Sequence, residues 1–391
     1  LALLFLAGLA SCTIRTEAQT LVSPAGAPPV PPVRGLALVP VSWDLLPVLE
    51  DDLDLPSLEL AARRSLDYYD RAGVGPVRVG AEDRSPAEME ASLRELLPIL
   101  EGQGTPEEKR SRIAERFDLY RATGLDGRGT VLFTGYYVPE LMGSLVRTER
   151  FRHPIYAPPP EAKAGQAVAP AIANRTPALL WSRKEIDADG ALRDRGLEIA
   201  WVDDPTGLFF LHIQGSGKIR LPDGGILTVG YAGSNGRPFR SIAPLLVERG
   251  KIPAGNLSYR TIREYLEKNP QERQEILNWN ERYIFFRVLE GEPVGSLGVP
   301  VTAGRSIAVD AEFFPPGAAA FIRARKPVTD EAGKIRWRPF SRFVLAQDAG
   351  AAIKGPGRVD VFCGAGPEAE RIAQSLKEKG DLYFLIPRRP R

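Results

Sequence analysis

The sequence predicts a mainly β fold with helices at its N-terminal end, the strands arranged as β-barrels rather than as a doubly wound sheet. Three observations carry this. From Gly129 onward the apolar residues fall in short β-type runs, most of them bounded by Gly, Pro, Asn or Asp. The 391 residues include 38 Gly and 35 Pro, which suits many tight turns between short strands. Before Gly129, Ser85-Pro86-Ala87-Glu88 and Thr105-Pro106-Glu107-Glu108 each place a capping hydroxyl, then Pro at the first helical position, then Glu at the third.

In chain order, residues 1–10 are apolar throughout and lead into Ser11 and Cys12. A small residue before the Cys and a polar, Pro-rich stretch after it have the form of a bacterial lipoprotein signal. Cleavage before Cys12 and acylation of that residue are therefore expected. The apolar run falls short of the roughly 20 residues that span a bilayer. Thr13 stands where inner-membrane lipoproteins carry Asp, which points to an outer-membrane anchor with the body facing the periplasm. Residues 13–40 hold Pro24, Pro28, Pro29, Pro31 and Pro32 and read as an extended tether. Helices follow at 57–71, on apolar spacing, and from the two capped starts. Strands are predicted at 130–134, 197–201, 208–213, 283–288 and 306–309, with one or two helices across 259–279. The C-terminal end repeats the mixture, with strands at 343–347, 358–362 and 382–386 around a helix at 367–379.

Composition excludes several function classes. Lys and Arg number 51 against 49 Asp and Glu, too even a balance for a protein that grips polyphosphate, so no nucleic acid is expected. The only Cys and His are Cys12, Cys363, His153 and His212. A structural zinc needs about four such ligands, and the carboxylates show no metal-loop pattern. No metal and no cofactor is expected. Gly364-Ala365-Gly366-Pro367-Glu368-Ala369 fits the dinucleotide fingerprint in form. Pro367, however, removes an amide that a pyrophosphate needs, and 22 residues after Ala369 are too few for the rest of a nucleotide-binding half. It reads as a turn into a Pro-started helix. Gln214-Gly215-Ser216-Gly217-Lys218 has His212 where a phosphate loop needs its first Gly and Ile219 where it needs a magnesium-binding hydroxyl. Ser216 lacks a nucleophile-elbow context. Cys363 has no local His partner and reads as a structural thiol.

What remains is a set of carboxylates and hydroxyls among glycines. Glycan cleavage suits such a set, because it needs an acid to protonate the glycosidic oxygen and flat surfaces to hold sugars. Phe133-Thr134-Gly135-Tyr136-Tyr137 with Pro139, then Pro154-Ile155-Tyr156, resembles one block of the murein lytic transglycosylase A family. Leu197-Glu198-Ile199-Ala200-Trp201 leading to Gln214-Gly215-Ser216-Gly217 resembles a second, and Tyr231-Ala232-Gly233-Ser234-Asn235-Gly236 with Arg240-Ser241-Ile242 a third. The last resembles that family's three-aspartate region: Asp310 before Pro315-Pro316-Gly317, Asp348 in Gln347-Asp348-Ala349-Gly350, Ile353-Lys354-Gly355, and Asp360 in Arg358-Val359-Asp360-Val361-Phe362. Phe239, Ala349 and Cys363 depart from the family pattern.

The resemblance implies a double-psi β-barrel interrupted by a second, barrel-like β-domain, with a substrate groove between them. The expected division is 41–137 and 293–391 for the barrel with its helices, and 138–292 for the insertion. It also implies cleavage of the β-1,4 bond between N-acetylmuramic acid and N-acetylglucosamine in peptidoglycan glycan strands, leaving a 1,6-anhydro end. Asp360 matches the family's catalytic acid; Asp310 and Asp348 match the other signature aspartates. Protein partners are not readable from the sequence.

One carboxyl suffices for such a reaction, because the sugar's own C6 hydroxyl replaces the water that a hydrolase must activate. The acid must be protonated when substrate binds, so its pKa must lie above the usual roughly 3.9. Alternation in 358–362 puts Val359 and Val361 on one face, and Asp360 with Phe362 on the other. For Asp310 and Asp348, capping of backbone amides is as good an explanation as chemistry. Tyr136, Tyr137 and Tyr231 are candidates for stacking on sugars, although aromatics in strands are more often core. Thr134, Gln214, Ser216, Asn235 and Lys354 are candidates for polar contacts. A water-using glycoside hydrolase on the same barrel, and a non-catalytic peptidoglycan-binding lipoprotein, are the competing readings.

Overall fold

The computed structural model describes residues 36–46, 48–71, 73–162, 180–330 and 334–389. Cys12 and the expected tether through residue 35 lie outside them. The described chain opens with β1 (Leu38–Val41), α1 (Leu55–Tyr69), β2 (Val77–Val79) and β3 (Glu82–Arg84), then α2 (Pro86–Glu101), α3 (Pro106–Arg116) and β4 (Phe117–Ala122). Ser85 with Glu88 and Thr105 with Glu108 close reciprocal capping boxes, so these helices begin where the side chains satisfy the first free amides. β5 (Val131–Val138) leads into β6 (Glu140–Ser144), β7 (His153–Tyr156), α4 (Arg183–Asp187) and β8 (Glu198–Val202). Next come α5 (Pro205–Gln214), β9 (Ser216–Arg220), β10 (Ile226–Ser234), α6 (Ile242–Glu248), α7 (Tyr259–Lys268), α8 (Pro270–Asn278) and β11 (Ile284–Leu289). The chain finishes with β12 (Ser306–Ala308), β13 (Ala319–Thr329), β14 (Ile335–Asp348), β15 (Arg358–Ala365), α9 (Gly366–Ser375) and β16 (Lys377–Pro387).

Strands β5, β15, β12, β14, β13 and β16 pair in that order, and β16 returns to β5, closing a six-stranded barrel. β4 continues the sheet from β16, and β1 from β4. β5 pairs with β15 in parallel and with β16 antiparallel, so the first strand of the barrel lies between two strands from the end of the chain. Phe133, Ile307, Val344, Val359 and Val361 point into one core with Phe321, Phe343 and Phe384. Each such side chain contributes about 1.5–3 kcal/mol by leaving water. Arg305, completely buried, fastens α1 to this barrel: it donates to Asp51 Oδ2 (2.6 Å), the Asp54 carbonyl (2.8 Å), Ser57 Oγ (2.9 Å) and the Phe343 carbonyl (2.8 Å).

A second sheet, β11-β10-β9-β6-β8-β7, is built wholly from the chain between β5 and β12. Its core is Leu141, Ile155, Val202, Ile219, Val229 and Phe286, with Leu208 and Leu211 of α5 packed onto it.

Two elements differ from expectation. Residues 208–213, read as a strand, form part of α5. Asp204 caps it by accepting from Gly207 N at 2.8 Å, Pro205 starts it, and Gly215 ends it at φ 80°. The run Leu208–His212 is buried on every side, so it lacks the one-sided periodicity that separates helix from strand. The last helix stops at Ser375, and Lys377 already pairs with Thr134. A tertiary strand contact overrides local helix preference there.

Candidate active site

β12 brings two aspartates together. Its Ala308 pairs with Asp348 on the parallel side and with Asp360 on the antiparallel side. The chain continues through Val309, whose amide donates to the Asp348 carbonyl (3.0 Å), to Asp310. All three signature aspartates therefore meet at one end of the barrel.

Alternation along β15 turns Val359 and Val361 inward and leaves Arg358, Asp360 and Phe362 on the other face. The neighbouring strands present rungs of side chains to this face. Arg358 lies beside Leu132, Asp360 beside Thr134, and Phe362 beside Tyr136; Lys379 and Lys377 flank Leu132 and Thr134 from β16. The Tyr136 ring lies 5.1 Å from that of Phe362.

Asp360 Oδ1 is buried and has no hydrogen-bond partner in the protein. Arg358 Nη2 is 3.8 Å away, too far for a hydrogen bond. Burial pushes this carboxyl up to about 6; the Arg358 charge opposes the rise and the nearby Asp348 adds to it. Asp348 is held differently. Its Oδ2 accepts from Tyr136 Oη (2.8 Å), and its Oδ1 accepts from the amides of Ser296 and Ala349 (each 2.8 Å). Burial raises its pKa also, while these donors pull it back toward the charged form.

Asp360 and Asp348 line a cleft of about 1580 Å³ between the barrel and the second sheet. Tyr136 and Lys354 line it from the barrel side; Gln214, Ser216 and Tyr231 line it from the other. Tyr231 follows the regular part of β10 just before a bulge and is 48% exposed, so its ring is open to a ligand. Such a cleft, with one protonatable carboxyl on its wall and an aromatic opposite, can hold an extended polymer and donate a proton to it.

Residues 132–287 match the family model described as the MltA specific insert domain, and residues 305–386 match the 3D domain model. The membrane-bound lytic murein transglycosylase A of Escherichia coli K12 is 35% identical over 271 residues, 68% of this chain and 69% of its own length. The chain belongs to the lytic murein transglycosylase A family. It is thus an enzyme, a peptidoglycan-cleaving lyase. The solved membrane-bound lytic murein transglycosylase of Agrobacterium tumefaciens superposes with a TM-score of 0.72 at 32% identity, over 90% of this chain and 98% of the other. E. coli MltA with bound chitohexaose also gives a TM-score of 0.72, at 26% identity, over 93% and 98%.

Within this lytic transglycosylase A member, the expected site residues divide. Asp360, Asp348, Tyr136, Gln214, Ser216, Tyr231 and Lys354 line one cleft. Thr134 sits beside Asp360, but its Oγ1 is buried and without a partner. Tyr137 points the other way. It packs on Ala369 and Ala373, its Oη donates to Glu370 Oε1 (2.9 Å), and its amide donates to Gln214 Oε1 (3.1 Å). It ties barrel to insert and does not face sugar. Asp310 is 5% exposed: its Oδ2 accepts from the Gly355 amide (2.9 Å), and Lys354 Nζ lies 3.7 Å from its Oδ1. It pins the 349–357 loop and does not reach the cleft. Asn235 corrects the expectation of a sugar contact. It is completely buried, donates to the Trp181 and Glu281 carbonyls (2.8 Å each), and accepts from the amides of Tyr283 (2.9 Å) and Arg237 (3.3 Å).

Sequence reasoning missed the Ser296 amide, Arg287, Lys377 and Lys379 at the cleft. The i, i+2 spacing of Lys377 and Lys379 is a strand signal, concealed by the helix expected through residue 379. Nothing local marks Ser296, whose contribution is a backbone amide.

Proposed function

We propose that Asp360 is the single acid and base of a lytic cleavage of the β-1,4 bond between N-acetylmuramic acid and N-acetylglucosamine. The observation that carries this is its carboxyl, on the cleft wall, with an unpartnered oxygen and a proton affinity raised to about 6. The protonated carboxyl donates to the leaving glycosidic oxygen as the muramic C1–O bond breaks. The resulting carboxylate then accepts the proton of the muramic C6 hydroxyl as its oxygen bonds to C1, which forms the 1,6-anhydro ring and restores the acid. Asp348 supports this assignment by being occupied: with three donors already on its oxygens, it is poorly placed to activate a water as the hydrolase reading requires. Mass analysis of products from purified cell wall tests the proposal, since a lytic end is lighter by one water and reducing ends would overturn it.

Asp348 also contributes its charge. Asp348→Asn removes a negative neighbour that raises Asp360. The Asp360 pKa then falls, less of it is protonated at a given pH, and the alkaline limb of kcat/KM moves to lower pH. A pH–rate profile of the variant beside wild type measures this.

The closed six-stranded barrel supports a double-psi arrangement, in which the helices before β4 belong with the barrel. The division 41–137 with 293–391 against 138–292 is supported by the two sheets drawing their strands from those separate stretches. The relatives named membrane-bound support a cell-envelope enzyme anchored through Cys12 to the outer membrane and facing the periplasm. Cys12→Ala is expected to shift the protein from the membrane to the soluble fraction on cell fractionation, with cleavage of isolated cell wall unchanged.

A further inference from the structure

Proton transfer at Asp360 does not require a basic cleft, yet the cleft is basic. Among the described residues that line it, seven are Lys or Arg and three are Asp, in a chain where 51 basic residues balance 49 acidic ones. The excess is concentrated beside the proposed acid. One rung across the barrel face reads Arg358, Leu132, Lys379, and the next reads Asp360, Thr134, Lys377. Inward residues of the same strands, Phe133 and Val359, are fully buried, so the cations share the outward face with Asp360. Arg358 Nε is buried without a partner. Among the described residues Lys379 and Arg287 make no ion pair or side-chain hydrogen bond. Lys379 is exposed, so nothing in the fold requires its charge.

A strand of N-acetylglucosamine alone is neutral and gives these cations nothing to bind. Muramic acid differs by a lactyl ether ending in a carboxyl, which is either free or amide-linked to a peptide that carries carboxylates of its own. A mobile ammonium on a four-carbon stem can meet such a group at several positions along a strand. We infer that Lys379, with Lys377 and Arg358, forms a carboxylate subsite beside the catalytic rung, which makes acidic muramoyl strands the preferred ligand over neutral glycan. This rests on the proposed cleavage site but concerns binding, so it is tested without turnover.

The experiment compares Asp360→Asn with the double variant Asp360→Asn/Lys379→Gln, by calorimetric titration with three ligands. These are chitohexaose, stem-free muramoyl strands with free lactyl carboxyls, and the same strands bearing peptide stems. Lys379→Gln is expected to weaken binding of an acidic strand about fivefold to tenfold at low salt, leave chitohexaose unchanged, and lose its effect at about 1 M salt. Weakening of the stem-free strand alone assigns the lactyl carboxylate; weakening of the stem-bearing strand alone assigns peptide carboxylates; weakening of both places the two in one subsite. Restoration by Lys379→Arg supports a requirement for charge. Equal weakening of chitohexaose, or no weakening of either acidic strand, overturns the inference. Failure of wild type to form anhydro ends would instead sink the proposed cleavage and leave these titrations readable. Thermal melts of each variant check that the fold is unchanged.

Discussion

Asp360→Asn is expected to reduce cleavage of peptidoglycan glycan by about 10²–10⁴-fold while leaving the protein folded and, above about pH 6, more stable. The loss follows from removing a buried carboxyl on the cleft wall that has an unpartnered oxygen and is raised to about 6; general acid–base catalysis contributes about 10²–10⁴-fold. The stability gain has the opposite origin. An unfolded Asp titrates near 3.8, the folded Asp360 at about 6. Between these values the native state binds more protons than the unfolded one, so stability falls as pH rises through the window. Above it the charged carboxyl costs about 3 kcal/mol. Asn resembles the protonated form and carries no such cost. Melting temperatures at pH 4 and pH 8 measure the difference: the variant should gain at pH 8 and change little at pH 4. In wild type the same titration predicts that activity declines as pH rises past about 6.

Asn235→Ala is expected to lose activity for a different reason, by unfolding the inserted sheet. The substitution removes the donor to the half-buried carbonyls of Trp181 and Glu281, the second of which keeps the Arg183 amide, and removes the acceptor for the amides of Tyr283 and Arg237. An unsatisfied buried polar group costs about 1–3 kcal/mol, so a loss of about 3–5 kcal/mol is expected, with Tm lower by roughly 5–10 °C. Denaturant unfolding checks the stability, and affinity for chitohexaose below the transition should match wild type. Weakened binding with unchanged stability would instead make Asn235 a sugar contact.

These two residues mark what the sequence could and could not reveal. The outward placement of Asp360 was legible because strand alternation around Val359 and Val361 fixes its face. Helix starts at Ser85 and Thr105 were legible because the caps are local chemistry. The burial of Asn235 was not legible for the opposite reason: a Gly-Ser-Asn-Gly turn has the same composition whether its amide group meets a sugar or four backbone groups, and three of those groups come from 46 to 54 residues away. Tyr136 and Tyr137 are adjacent and of one type, yet opposite faces of β5 send one to Asp348 and the other to Glu370. Their alternation predicts that they diverge; only tertiary packing decides which of the two meets the cleft. The helix at 205–214 was lost because burial on all sides erases the pattern on which such assignments depend.

The placement of β5 between β15 and β16 has a consequence for how the molecule is made. Its partners on both sides, β15 and β16, follow it in the chain only after the whole inserted sheet, so the rung of Asp360, Thr134 and Lys377 does not exist until all three stretches have been synthesised. Contacts this distant along the chain form slowly. A chain that stops before β15 lacks Asp360 and both barrel partners of β5, and is expected to be inert.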